Sequence, residues 1–372
     1  MLTFNVSANE IQEELALLKK QLNYIQNKIV SIERKALLDS SLPVDIKDNK
    51  PIDIEKPEAS TVDPIKVTNK NMKVYASLRP TLGYHDENRV KAFDVRDALS
   101  NAGFKSTYNF QTGWTAILHG EWSIDLSDNA DFGKARQVYA GIDTPYGKVA
   151  IGKQRPVQYL FIAEYSDIFD HSNSPYAYDV ESPFFVNNMI SYQLKKNDLT
   201  WMVTSQFNGS EGNNNSDMLN AGVSYDKGSF HLAATYLEQS VFASETKLGD
   251  DKVYAVSMAY TFDNDFYAAV AYQNKDYKRE DIRERNGHTL DLSVAYPLSN
   301  NYKLKAGYFD FKDDEVNSLT KDHDGANLTL EWLPNDDIKF HIEYLYRNFD
   351  QLADFSSISI GLRYDYAQIW DF

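Results

Sequence analysis

Five carboxylates crowd one stretch of the 372-residue chain: Glu164, Asp167, Asp170, Asp179 and Glu181 lie between residues 155 and 185, and no Lys or Arg follows Arg155 there. A stretch of one sign either sets up a fixed field or merely solvates a wet wall. Other chemistry is thinly supported. The seven His are scattered, without an HExxH or paired spacing, so no metal site is expected. No cysteine is present, which removes disulfides, zinc–thiolate sites and thiol catalysis. No Ser–His or Asp–His arrangement stands out as catalytic, so neither an enzyme nor a cofactor is expected. A net charge of −16 leaves no basic patch for nucleic acid. The sequon at Asn327 sits on the inner parity of its strand and is read as chance.

The elements that must position these carboxylates are strands. From residue 72 to 372 the chain alternates strand and turn signals, giving sixteen strands that start near 72, 100, 113, 134, 147, 186, 198, 217, 228, 251, 265, 285, 301, 322, 337 and 355. Tight turns such as "TPYGK", "DKGS" and "PNDD" alternate with long polar connections such as "EQSVFASETKLGDD" and "NKDYKREDIRERNGH". Within strands, Ile338, Phe340, Ile342, Tyr344 and Tyr346 share one face, and Lys339, His341, Glu343 and Arg347 the other. No helical layer downstream of residue 72 could cover so many apolar faces. The apolar faces therefore meet lipid and the charged faces a wet lumen. Mean hydropathy is negative, and no apolar run approaches the length of a spanning helix. An excess of Tyr, 25 against 20 Phe and 5 Trp, suits an interfacial girdle. The expected class is all-β: a 16-stranded antiparallel transmembrane β-barrel preceded by an α-helical segment.

That helical segment spans residues 9–38. Ile11, Leu15, Leu18, Leu22, Ile25, Ile29 and Ile32 follow the four-three spacing of a heptad seam. Mostly Leu at a and Ile at d favours three or four strands over two, so a trimeric coiled coil is expected. A helix packed on its own domain is the plainer alternative. Residues 1–8, "MLTFNVSA", read as the tail of a secretory signal, or as a helix cap at Ser7. Residues 39–71 carry Pro43, Pro51, Pro57 and Pro64 among polar groups and read as a linker.

Four stretches carry a family resemblance: "NMKVYASLRPTLGY", "SNAGFKSTYNFQTGWTAILHGEW", "ARQVYAGIDTPYGKVAIGKQ" and "NNMISYQL". Together they resemble the trimeric general diffusion porins of Gram-negative outer membranes, in a variant bearing an N-terminal periplasmic coiled coil. The resemblance implies a homotrimer in outer-membrane lipid and lipopolysaccharide, inserted by the barrel-insertion machinery. It also implies that loop 155–185 folds inward, so that Glu164, Asp167, Asp170, Asp179 and Glu181 face a basic wall across a pore constriction. Arg136 matches a pore arginine of the family. Parity adds Arg79, Lys105 and Glu121 to the wall, while Asn101 and Val186–Asn188 stand where the family carries further arginines. The expected function is passive diffusion of small hydrophilic solutes and ions, cation-preferring or weakly selective. The alternatives are a barrel-anchored tether, whose coil links the outer membrane to peptidoglycan or a periplasmic protein, and a substrate-specific porin.

The chain ends on "SISIGLRYDYAQIWDF". Tyr364, Tyr366, Trp370 and Phe372 share one parity and resemble the assembly signal of outer-membrane barrels. Either the last strand runs on to the end, or a short tail repeats the signal after Tyr366.

Overall fold

In the computed structural model, residues 69–87, 90–127, 132–170, 183–208, 217–243, 246–279, 282–312 and 322–372 are described. The heptad segment 9–38, the signal-like residues 1–8, most of the linker, Asp179 and Glu181 lie outside them. The sheet is made of β1 (Asn69–Leu78), β2 (Pro80–Glu87), β3 (Val90–Asp97), β4 (Asn101–Gln111), β5 (Trp114–Ile124) and β6 (Phe132–Thr144). It continues through β7 (Gly147–Gln154), β8 (Val186–Lys196), β9 (Leu199–Gln206), β10 (Met218–Lys227), β11 (Phe230–Ala243) and β12 (Thr246–Thr261). It ends with β13 (Tyr267–Arg279), β14 (Ile282–Ser299), β15 (Tyr302–Lys312), β16 (His323–Trp332), β17 (Ile338–Phe349) and β18 (Phe355–Asp371).

β1 and β2 form one spanning strand interrupted at Arg79–Pro80, and β3 and β4 form the next. Sixteen antiparallel strands result, and β18 pairs with both β1 and β2 to close the barrel. The interruption has a local cause. Pro80 has no N–H to give the ladder. Opposite it, Ala98–Ser100 carries one residue more than its partner strand, with Leu99 at φ 69°.

The faces follow the parity that the sequence sets. Outward, Ile342 is 43% exposed; its inward neighbour Glu343 is 0% exposed. Leu292, Val294, Tyr296, Leu328, Leu330, Trp332, Ile358 and Ile360 are likewise exposed on the outside, while Asp291, Ser293, Asn327, Thr329, Glu331, Ser357 and Ser359 are buried on the inside. Polar residues inside and apolar residues outside suit a wall between lipid and water.

Strand ends show two differences from expectation and decide one open alternative in favour of a last strand that runs on. β1 starts at Asn69, inside the expected linker. β18 runs on to Asp371, and backbone bonds join Lys70 and Phe372 in both directions. The segments expected as eight long connections are partly strand: only two residues separate β2 from β3, β11 from β12 and β13 from β14. At that end both faces meet water, so polar residues keep the ladder without the apolar parity that marks a strand. Ser240 opposes Asp250 and Glu238 opposes Lys252 there.

Candidate functional site

The constriction is built by the chain between β7 and β8. Gly152, at φ 131°, bends the end of β7, where an added Cβ would lie 2.3 Å from the Val138 carbonyl oxygen. After Arg155–Pro156 the chain turns inward as a π-helical turn, Tyr159–Ala163, continued by Glu164–Ser166. Val157, Phe161 and Ile162 pack on Met202, Ala233, Ala255 and Ala271. The alanines on the inner faces of β11, β12 and β13 provide the room, and burying three large side chains against them fixes the loop to one side of the lumen.

Polar bolts add to this packing. The Gln158 backbone N–H donates to Asn220 Oδ1 at 2.7 Å, and its side-chain amide donates to Gln273 Oε1 at 2.7 Å. The carbonyl end of the helical turn meets donors from the wall. Ser257 reaches Phe161 O at 2.6 Å, Tyr267 reaches Tyr165 O at 2.6 Å, Ser293 reaches Ser166 O at 2.5 Å, and Lys305 reaches Ile168 O. A helix leaves carbonyls unpaired at this end, and positive charge suits it.

Beyond the helical turn, Asp170 is buried in an ionic cluster. Its carboxylate lies 3.1 Å from Lys305 Nζ and 3.3 Å from Lys339 Nζ, and both lysines also reach Glu331, at 2.5 and 2.8 Å. The Asp170 backbone N–H donates to Glu343 Oε2 at 3.1 Å. Burial alone would raise this carboxyl; Lys305, then Lys339, outweigh it and hold Asp170 well below the usual carboxylate range. Asp170 thus anchors the loop to β15, β16 and β17.

Across from the loop lies a cavity of about 280 Å³. Arg79, Arg136, Arg155, Arg363 and Lys339 supply its cations; Asp167 and Asp170 supply its carboxylates; Tyr159, Phe169 and Phe184 form its aromatic side. Arg136 reaches inward although alternation along β6 aims Gln137 there, because the register between β5 and β6 shifts by one residue at this point. Its Nε donates to Glu121 Oε1 at 2.8 Å, and Tyr75 OH donates to Glu121 Oε2 at 2.8 Å. Arg363 pairs with Asp365 at 2.7 Å. Arg155 lies over Tyr159 at 3.7 Å, with Phe184 at 4.9 Å and Phe185 at 4.7 Å, so one guanidinium clamps both ends of the loop.

Of the residues expected from sequence, Arg79, Arg136, Asp167 and Asp170 therefore meet in one cavity, with Glu121 behind Arg136. Glu164 stands on the loop beside Arg155, and partial desolvation by its surroundings raises its carboxyl. Lys105 lies outside the cavity, in register with Lys73 and His119 toward the end that carries the termini. Sequence reasoning missed Arg155, Lys339 and Arg363. Parity does place Lys339 and Arg363 inward, but their level along the barrel is fixed only by the register of β17 with β18. Tyr364, Tyr366, Trp370 and Phe372 are all exposed. Among the described residues no group of His, Asp and Glu is arranged to hold a metal ion.

Solved structures share this architecture. OmpF of Salmonella typhi, in complex with daunomycin, matches with a TM-score of 0.65 at 14% identity, over 79% of this chain and 97% of that one. An anion-selective porin from Comamonas acidovorans matches at 0.64 and 13% identity, over 80% and 100%. OmpT, an outer membrane protein of Vibrio cholerae, matches in its trimer form at 0.62 and 19% identity, over 80% and 99%. At these identities the likeness is one of fold. No curated protein sequence matches. The family model described as Gram-negative porin matches residues 59–371, nearly the whole barrel. With a closed sixteen-stranded barrel, an inward loop and an outward apolar face, the chain belongs to the Gram-negative porins, a family of outer-membrane diffusion channels.

Proposed function

We propose that the protein is a homotrimeric outer-membrane porin that passes small hydrophilic solutes and ions by passive diffusion with weak selectivity. The observation that carries this reading is the lining of the 280 Å³ cavity beside the loop. Most of its charges are already neutralised: Arg136 by Glu121, Arg363 by Asp365, and Lys339 by Asp170 and Glu331. The guanidiniums of Arg79 and Arg155 make no ion pair among the described residues, and Asp167 on the loop lines the same cavity. That leaves a transverse field of modest strength, enough to orient polar solutes without excluding either sign. This balance favours weak selectivity over the cation preference that the acidic loop alone suggests.

The trimer is supported by the family and by the trimeric form of the Vibrio cholerae structure. The chain enters the barrel at Asn69 beside Phe372, on the end with the tight turns. Setting that end in the periplasm directs residues 1–68 there. In this reading residues 9–38 form a trimeric clamp or a tether to peptidoglycan or a periplasmic protein, and the outer face meets lipid and lipopolysaccharide. Planar-bilayer recording tests the proposal. Stepwise conductances in threes, with a reversal potential close to zero in a salt gradient, are expected. A silent membrane, or single-step openings, refutes it.

A further inference from the structure

Ser257, His231 and Asp226 stand in the order of a nucleophile–base–acid relay. Ser257 Oγ lies 3.2 Å from His231 Nε2, and His231 Nδ1 lies 2.6 Å from Asp226 Oδ1. They do not form a hydrolytic site. Ser257 is 2% exposed, and its only hydroxyl hydrogen goes to the Phe161 carbonyl at 2.6 Å. What the trio holds is the loop. His231 Nε2 also lies 3.0 Å from Phe161 O, and the Tyr165 ring stacks on the imidazole at 3.3 Å and 10°.

Counting hydrogens decides the protonation of the pair. Asp226 as a carboxylate requires a hydrogen on Nδ1. The Phe161 carbonyl only accepts, so Nε2 needs a hydrogen to bond it. A neutral imidazole bonded to a carboxylate turns its Nε2 lone pair toward that carbonyl at 3.0 Å. Ser257 cannot relieve this. If it donates to Nε2, its oxygen faces Phe161 O at 2.6 Å with no hydrogen between them. All contacts are satisfied only when the His231–Asp226 pair holds one more proton than a neutral imidazole plus a carboxylate.

We infer that His231 and Asp226 form a proton-dependent latch on the constriction loop: with the extra proton they hold the Phe161 carbonyl, and without it they let the helical turn loosen. The other titratable groups around the imidazole are few. Tyr165 OH donates to Asp226 Oδ1 at 3.3 Å, and Ser224 Oγ donates to Asp226 Oδ2 at 2.7 Å. Tyr267 on β13 holds the Tyr165 carbonyl, and Glu164 on the loop is the other carboxylate close enough to act on the ring. The pair lies beside the turn between β10 and β11, at the end that carries the termini, so solvent at that end supplies the proton. His231 is a positioning residue: it acts on solutes only through the loop.

The importance of the latch for conduction rests on the channel reading, so the test has one arm that does not. Hydrogen exchange of the full-length chain in detergent, corrected for intrinsic pH dependence, reads the amides of residues 159–168 directly. Between about pH 5 and about pH 8, where histidine commonly changes charge, wild-type protection of this segment should fall about tenfold, the loss of one charge-assisted hydrogen bond. His231→Gln and Asp226→Asn should show low protection at both pH values, with the β11 and β12 amides still protected as the check on folding. Ser257→Ala leaves the carbonyl dependent on the imidazole alone and should steepen the pH response. Equal wild-type protection at both pH values, an unchanged pH response in His231→Gln, or no steepening in Ser257→Ala overturns the latch. In bilayers, brief closures should become about tenfold more frequent as pH rises at the turn end. A silent channel whose loop still shows the exchange response sinks the porin reading and leaves the latch intact.

Discussion

Replacing Asp170 by Asn tests whether the ionic cluster holds the constriction in place. The substitution keeps the side chain's size and removes its charge. Two lysines, at 3.1 and 3.3 Å, then share Glu331 alone, in a cluster where Asp170 and Lys305 have side chains only 6–7% exposed. Removing one partner of a buried ion pair costs about 3–5 kcal/mol, because the remaining charge stays desolvated. The barrel does not have to bear that cost, since the loop can move instead. Its first half has its own attachments: the Val157–Phe161–Ile162 cluster and the bonds to Asn220, Ser257, Tyr267 and Ser293. Each neutral bond contributes about 1 kcal/mol, and each buried side chain about 1.5–3. The helical turn should therefore stay, and the chain beyond Ser166 should leave the wall. Single-channel conductance should rise, with more current noise, and larger sugars should enter proteoliposomes in swelling assays. Resistance of the folded barrel to heat and detergent should change little. Wild-type conductance and size cutoff in Asp170→Asn would refute the anchoring argument. A loss of barrel stability without a change in conductance would refute the claim that the loop absorbs the cost.

The same carboxylate gives a pH prediction with a definite sign. Its folded-state pKa is depressed, so the anchor is fully present above the ordinary carboxylate pKa and is lost only as pH falls through the lower folded value. Noise from this part of the loop should thus stay low through about pH 4 and appear only in stronger acid. Changing Arg79 and Arg155 to Gln should move the reversal potential toward cation selectivity; an unshifted potential would show that these guanidiniums do not set the field. Phe161→Ala should loosen the loop by about 3–5 kcal/mol, read as lost exchange protection over residues 159–168 with the strands unaffected. Deleting Phe372 should lower the yield of folded barrel more than it alters the conductance of the molecules that assemble.

Strand parity was legible wherever one face meets lipid and the other water, because a one-residue slip there would turn an entire apolar face into the lumen. The inward setting of Glu121, His341 and Glu343 followed from alternation alone. Two kinds of feature were not legible. Toward the end opposite the termini, β11 and β12 run through water on both faces, so "SETKLGDD" loses the contrast that marks a strand and reads as a loop. The second kind is what bulges re-aim. Arg136 enters the lumen because one extra residue on β6 disturbs its pairing with Glu121, a feature that alternation hides.

The loop carboxylates show why charge counted along a sequence does not give the field in a pore. Asp170 belongs to the acidic stretch, yet two lysines from β15 and β17 neutralise it, and they stand 135 and 169 residues away in the chain. Arg136 looks like a bare pore cation, yet it is bound to a carboxylate 15 residues earlier. Selectivity depends on what is left after such pairing, and pairing is a property of level along the barrel as well as of face. Parity supplies the face of each residue; level requires the summed register of many ladders, to which every bulge adds one residue. The net acidity of residues 155–185 therefore overstates how strongly the constriction should prefer cations. Arg79 and Arg155, which make no ion pair among the described residues, are the two side chains whose neutralisation should change that preference most.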